Sequence, residues 1–284
     1  MVNYKISAFI DEYSDELAVQ VEALKGYGIG FVELRHCNGK NVSEWNDADK
    51  REIKAAFDAA GIKASAIGSP LGKIAIDGDI KAHMELARRV FETANYFGAK
   101  LVRVFSFYIP KGEKAEKYRA EVLAAMNEML DIADEYGLTL CHENEAGIYG
   151  ESPELCLDLL KALGGRLKCV FDMGNFVLDG HEPYPHCYSL LKEHIAYFHI
   201  KDSLYEGAIV PAGKGKASIK EVLSEYASEY GSELFVTVEP HLQTFAGLNA
   251  LVGKSFDNPY KYENQMVAFD DDVEKFKEIL RSIV

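Results

Sequence analysis

Leu138-Thr139-Leu140-Cys141-His142-Glu143 follows a helix-ending glycine, Gly137, and closes on a carboxylate. Three later stretches repeat the form: Leu167-Lys168-Cys169-Val170-Phe171-Asp172, Ile195-Ala196-Tyr197-Phe198-His199 and Glu233-Leu234-Phe235-Val236-Thr237-Val238-Glu239. Each reads as a short strand rich in apolar, β-branched or aromatic residues. Each ends in a side chain able to hold a metal. The four end residues stand 29, 27 and 40 positions apart, room each time for one strand-helix repeat. If the strands are parallel neighbours, Glu143, Asp172, His199 and Glu239 meet at one mouth and could share one divalent cation.

The same beat runs through the rest of the chain. Residues 4–10 read as the first strand, and 14–27 as a helix with Ser14 as N-cap, Leu17, Val21 and Leu24 on one face and Gly28 at its stop. Strand 31–34, helix 47–60, strand 62–67, helix 79–97, strand 99–105 and helix 113–136 follow, several closed by glycine. After strand 138–143 come helix 152–163, with Ser152 as N-cap and Pro153 at the first turn, strand 167–172 and a short helix near 185–193. Strand 195–200, helix 218–230 capped by Ser218, strand 233–239 and a last helix 270–283 capped within Asp270-Asp271-Asp272 complete the pattern. Eight strand-helix units in about 250 residues predict an α/β fold, a (β/α)8 TIM barrel, as one domain over 1–284. A doubly wound sheet usually has fewer units and a glycine-rich turn after its first strand, where this chain has Ile10-Asp11-Glu12-Tyr13. Residues 240–269 form a long loop containing Phe245, Phe256, Tyr260, Tyr262 and Phe269, read as a lid or a dimer contact.

Composition narrows the function. The 284 residues are 48% apolar and 27% charged, with a net charge of −14 and no dense Lys/Arg cluster, which opposes a nucleic-acid partner. No run of about 18 apolar residues predicts a membrane span. The start, Met1-Val2-Asn3-Tyr4-Lys5-Ile6, does not read as a signal peptide. Five cysteines, an odd count without a Cys-x-x-Cys pair, argue against a disulfide framework and for a reducing cytoplasm. The expected partner is a small-molecule sugar, with a homo-oligomer open.

A single carboxylate at a strand end is often only a helix cap, but four metal-capable ends in succession are harder to assign to structure. Strand parity adds to this, because the residues two beyond each candidate share its side. They are Glu145, Gly174, Lys201 and His241: three polar side chains and one gap. Three carboxylates and an imidazole make a hard donor set that favours manganese first, with magnesium, cobalt or zinc as alternatives. Such an ion would act as a Lewis acid on a polyol or keto sugar.

The segments Glu143-Asn144-Glu145, Phe171-Asp172-Met173-Gly174-Asn175, Phe198-His199-Ile200-Lys201-Asp202 and Val238-Glu239-Pro240-His241 resemble motifs of the xylose isomerase-like TIM barrels. That superfamily holds sugar isomerases, epimerases, inosose dehydratases and endonuclease IV. The stretches Ala66 to Lys73 and Val210 to Gly215 look similar to it as well. The resemblance spans essentially the whole chain. It implies that Glu143, Asp172, His199 and Glu239 are metal ligands and that Glu143 and Glu239 are a paired base and acid. Asn175 and Glu145 depart from the resemblance, since many members carry His at each position. Asn cannot take a proton at neutral pH.

Substrate-binding candidates are Lys201, Asn175, Glu145, His241 and His36. His142 has the parity to lie behind its strand. The Gly213-Lys214-Gly215 loop could hold an anion on its backbone amides. The expected activity is a metal-dependent sugar or sugar phosphate isomerase or epimerase. Its rivals are a dehydratase on the same scaffold, an endonuclease IV-like nuclease and a non-catalytic sugar-binding barrel.

Overall fold

The computed structural model describes residues 2–242 and 258–283. Eight parallel strands carry the architecture: β1 Lys5–Ala8, β2 Phe31–Leu34, β3 Lys63–Gly68, β4 Leu101–Val104, β5 Thr139–Glu143, β6 Lys168–Asp172, β7 Ile195–Ile200 and β8 Phe235–Val238. Their hydrogen-bonded order is β1-β8-β7-β6-β5-β4-β3-β2, and the two end strands, β1 and β2, lie against each other to close a nearly complete barrel. This is a (β/α)8 barrel.

Helices α1 Leu17–Tyr27, α2 Asp47–Ala59, α3 Ile80–Phe97, α4 Arg119–Glu135, α5 Pro153–Ala162, α6 Met173–Leu178, α7 Tyr188–Leu191, α8 Ile219–Tyr230 and α9 Gln265–Ser282 connect or follow the strands. Helix α3 is amphipathic and buries a stripe of His83, Met84, Ala87, Val90, Phe91 and Ala94. Asp79 caps its start by accepting from the Ala82 amide, and Gly98 ends it at φ 73°. The apolar core between helices and strands includes Phe91, Val102, Leu140, Phe171 and Phe198, all without solvent exposure.

Several local expectations change. Helix α1 starts at Leu17, and its first amide donates to Asn38 Oδ1 rather than to Ser14. Ser218 stands at the start of α8 at φ 52° without a side-chain cap bond. Residues 115–118 form a 3-10 turn before α4. The last helix begins five residues earlier than expected and is capped by Asn264. The aspartate run is internal to it, and buried Asp272 instead accepts from the Ala212 amide at 2.7 Å. A two-stranded hairpin, Asp202–Ser203 with Ile209–Val210, was not foreseen. Much of the proposed lid or dimer loop, residues 243–257, lies outside the described residues. Among those described, all five cysteines are free and buried, and no helix is long and apolar enough to cross a membrane.

Candidate metal and active site

Parallel strands end at a common level, so the register decides who meets. Asp172 is level with His199 on the neighbouring strand. The β8 ladder runs past its end, where the Glu239 amide donates to the Ile200 carbonyl at 3.0 Å. Glu143, Asp172, His199 and Glu239 are thereby brought together: one donor atom from each lies within 4.8 Å of the others, and all four residues are buried. His199 Nδ1 is 2.9 Å from Glu143 Oε1 and 3.0 Å from Glu239 Oε2. Two ligands at right angles on an ion, each bonded at ~2.1 Å, stand ~3.0 Å apart. These residues therefore fit a small divalent ion. Glu143 Oε2 and Glu239 Oε2 are also buried without a hydrogen-bond partner, as ligand atoms would be.

Charge is balanced at close quarters. Arg103 Nη1 lies 3.2 Å from Glu143 Oε2, and Lys201 Nζ is 2.9 Å from Asp172 Oδ2 and 3.5 Å from Glu239 Oε2. Burial works to raise the Glu143 carboxyl, but His199 and Arg103 hold it down at about 2. Burial likewise opposes ionisation of Glu239, and Lys201 and His199 keep it well below its ordinary value. For Asp172 burial wins over Lys201, and the group rises to about 7. The His199 imidazole is disfavoured as a cation by burial, yet Glu143, Glu33 and Glu239 raise it well above its ordinary value. Metal binding at Nδ1 would thus release a proton.

Four contributors escaped the sequence reading. Glu33 lies inside the barrel on β2, with Oε2 3.1 Å from His199 Nε2, while its Oε1 accepts from the Tyr197 hydroxyl at 2.9 Å. A carboxylate in this position would fix the imidazole in one tautomer if His199 held a metal. Arg103 and Arg35 come from the ends of β4 and β2. Arg35 bridges the β1–β2 seam: Nε donates to Asp11 (2.7 Å), Nη2 to Glu12 (3.0 Å) and Nη1 to Glu239 Oε1 (3.0 Å). That grip leaves Glu239 Oε2 turned to the cluster. Phe9 packs against this group, with its ring 4.1 Å from the Arg35 guanidinium and 5.1 Å from the His199 ring. A charged residue flanked by apolar ones inside a short strand, as at Glu33 and Arg103, was the available signal.

The substrate-binding candidates divide. Lys201 is buried and aimed into the cluster, paired with Asp172 rather than with Asp202. Gly174 makes room for it, since a Cβ there would sit 2.6 Å from Lys201 Cγ. Asn175 adjoins the cluster with both ends engaged: its amide donates to the Asn144 carbonyl (2.9 Å) and its oxygen accepts from Lys201 (3.1 Å). Glu145 pairs with Lys73 at 2.8 Å and is partly exposed. His241, at φ 47°, donates its backbone amide to Glu12 and holds Nδ1 3.7 Å from Glu239. Burial and then Lys201 push its imidazole down to about 3, so it stays neutral. His36 is the correction. It has the opposite parity to Glu33 and Arg35 and pairs with Asp15 at 2.6 Å, so Arg35 reaches the cluster in its place. His142 lies behind β5, 2.9 Å from Ser106 Oγ.

Glu33→Gln is expected to weaken the divalent ion by ~10- to ~100-fold while the fold persists, because the amide no longer enforces the His199 tautomer. Titration of the purified chain with Mn(II) measures this. Unchanged affinity would show that Glu33 does not tune the ligand.

Residues 21–249 match the family model described as "Xylose isomerase-like TIM barrel". No curated protein matches the chain in sequence. Among solved structures, the IOLI protein with a binding zinc atom is 18% identical over 99% of each chain, with a TM-score of 0.75. D-psicose 3-epimerase with D-tagatose, from Clostridium cellulolyticum H10, is 13% identical over 98% of this chain and 99% of its own, with a TM-score of 0.74. The probable 3-DHS dehydratase AsbF from Bacillus anthracis is 15% identical over 98% and 99%, with a TM-score of 0.72. At these identities the likeness to the three structures is one of fold.

Proposed function

We propose that this protein, which belongs to the xylose isomerase-like TIM barrel family, is a divalent-metal-dependent sugar isomerase or epimerase. The observation that carries the reading is the convergence of Glu143 and Glu239, from strands β5 and β8, on one buried imidazole, each keeping one oxygen without a hydrogen-bond partner. When bound, a divalent ion, manganese by the donor set, would be held by Glu143, Asp172, His199 and Glu239 and would supply Lewis acidity to adjacent substrate oxygens. The chain's own residues supply the proton transfers. One glutamate removes the proton alpha to the substrate carbonyl, and the other returns a proton at the opposite face or at the neighbouring carbon. Arg103 and Arg35 orient the two carboxylates. The Lys201 ammonium, held by Asp172 and Asn175, donates to a substrate oxygen on which negative charge grows.

A dehydratase begins with the same proton removal, and one of the similar folds bears that name. Product mass separates the two. Ketoses incubated with the Mn(II)-loaded chain in D2O are expected to gain deuterium at the carbon next to the carbonyl, with no loss of water. A product lighter by one water would replace the isomerase reading with the lyase. No deuterium in substrate or product, with turnover intact, would remove the exchangeable-proton mechanism. We take the substrate to be a small molecule, because the mouth is lined by carboxylates that would repel a phosphodiester backbone.

A further inference from the structure

One aromatic ring touches both of the arginines that meet the two glutamates. Phe9 follows β1 directly and is wholly buried. Its ring centre lies 4.1 Å from the Arg35 guanidinium carbon and 5.1 Å from that of Arg103. Both are distances at which an aromatic face attracts a cation, and the attraction is strongest where water is excluded. The ring has little freedom. The Phe9 amide donates to the Val238 carbonyl at 3.0 Å, next to Glu239. At the end of β3, Gly68 leaves the slot that the ring fills, since a Cβ there would sit 2.4 Å from Phe9 Cε1 and 2.9 Å from Cζ.

The two arginines are held in different ways. Arg35 is anchored by donating to Asp11, Glu12 and Glu239. Arg103 is buried but poorly bonded. Its Nε has no hydrogen-bond partner among the described residues, Nη1 stops 3.2 Å from Glu143 Oε2 without completing a bond, and Nη2 reaches the Ser69 carbonyl only at 3.4 Å. Acceptors alone do not fix this guanidinium. Two rings lie against it, Phe105 at 4.9 Å and Phe9 at 5.1 Å. Phe105 in turn meets Lys73 at 4.3 Å, a partly exposed chain and so a soft support. Phe9 meets Arg35, which three carboxylates lock in place. The firm route to Glu143 therefore runs from Arg35 through the Phe9 ring to Arg103.

We infer that Phe9 is a positioning residue for the proton transfer at Glu143: its ring holds Arg103, and through it the Glu143 carboxylate, in a fixed place relative to Glu239. The inference rests on the isomerase or epimerase reading for the reaction it serves, while the hold on Arg103 is measured without turnover. Three Mn(II)-loaded full chains are compared: wild type, Phe9→Leu, and a chain with 3,5-difluorophenylalanine in place of Phe9. Leucine keeps apolar bulk and has no aromatic face. The fluorinated ring keeps its shape and has a weaker negative face. Turnover of D-fructose and D-tagatose is read in D2O. Phe9→Leu is expected to lower kcat by ~10- to ~30-fold, the worth of one desolvated cation–π contact, and the fluorinated chain by less. KM is expected to hold, because the buried ring reaches no substrate. A fluorinated chain with wild-type kcat would mean that the ring only fills space, and overturns the inference. That chain decides the point by itself if Phe9→Leu does not fold.

If wild type turns over neither sugar, the isomerase reading is what fails, and nitrogen-15 NMR of the Mg(II)-loaded full chain still decides the hold on Arg103. The Arg103 Nε–H signal is assigned by its loss in Arg103→Lys. It is expected to exchange with solvent ~10-fold faster in Phe9→Leu than in wild type, the same contact read as local opening. The Arg35 Nε–H, bonded to Asp11, should not change. Equal exchange of Arg103 in wild type and in the Phe9 variants overturns the inference, whatever the activity.

Discussion

Glu143→Gln and Glu239→Gln are each expected to lower kcat by ~10³-fold, within the range spanned by positioned acid-base groups. The amide keeps one carbonyl oxygen in nearly the same place but cannot accept the carbon-bound proton. The two variants should differ in a telling way. The glutamate that removes the proton is needed for any exchange, so its variant loses deuterium uptake entirely. The glutamate that returns the proton is needed only afterwards, so its variant still exchanges substrate hydrogen with D2O while forming little product. Metal content must be measured alongside, because both residues touch His199 Nδ1 and stand in the ligand set. Their surroundings predict unequal losses of stability. Glu239 Oε1 is gripped by Arg35 at 3.0 Å with good geometry, whereas Arg103 reaches Glu143 Oε2 at 3.2 Å without completing a hydrogen bond. Glu239→Gln trades that charge-assisted bond for a weaker one and loosens the β1–β2 seam, so it should lower the melting temperature more than Glu143→Gln does. Wild-type turnover by both variants would leave neither residue as acid or base.

The strand ends were legible because their spacing and apolar pattern are local properties of the chain. Glu143, Asp172, His199 and Glu239 each terminate such a run, and parity then points Lys201 and His241 to the same side. Arg35 and Glu33 were hidden for the converse reason. Their partners lie just beyond β1 and β8 and on β7, 166 residues away for Glu33–His199, and no periodicity announces a pairing between distant strands. His36 is a candidate because it follows the second strand, but Arg35 shares the parity of Glu33 and His36 does not. The starts of α1 and α9 were misplaced because their caps come from Asn38 and Asn264 rather than from the nearer Ser14 and the aspartate run. The glycine-lysine-glycine loop reads from the sequence only as a place that could hold an anion on its backbone amides. What the sequence could not reveal is that Asp202, thirteen residues earlier, folds back to use them.

Lys201→Met and Gly174→Ala should produce the same catalytic defect by different routes. Lys201 places its ammonium 2.9 Å from Asp172 and 3.1 Å from Asn175. Methionine keeps most of the stem and deletes the charge, so kcat/KM should fall by ~100-fold, the scale of one buried donor to developing charge. The ion should remain, since all four ligand side chains are intact. Alanine at 174 leaves the amine but takes its space: the new Cβ would sit 2.8 Å from Lys201 Cβ and 2.9 Å from its backbone carbonyl carbon. A backbone atom cannot rotate away as the tip of a side chain can, so β7 and the start of α6 must separate. Such overpacking costs ~1–3 kcal/mol of stability and moves the ammonium off Asp172. If displacement of the amine is what slows Gly174→Ala, the double variant should be no slower than Lys201→Met alone, because the amine can be lost only once. Kinetics on all four proteins at equal Mn(II) content tests the argument. Effects that multiply in the double variant would mean that Gly174 acts on the site through something other than Lys201.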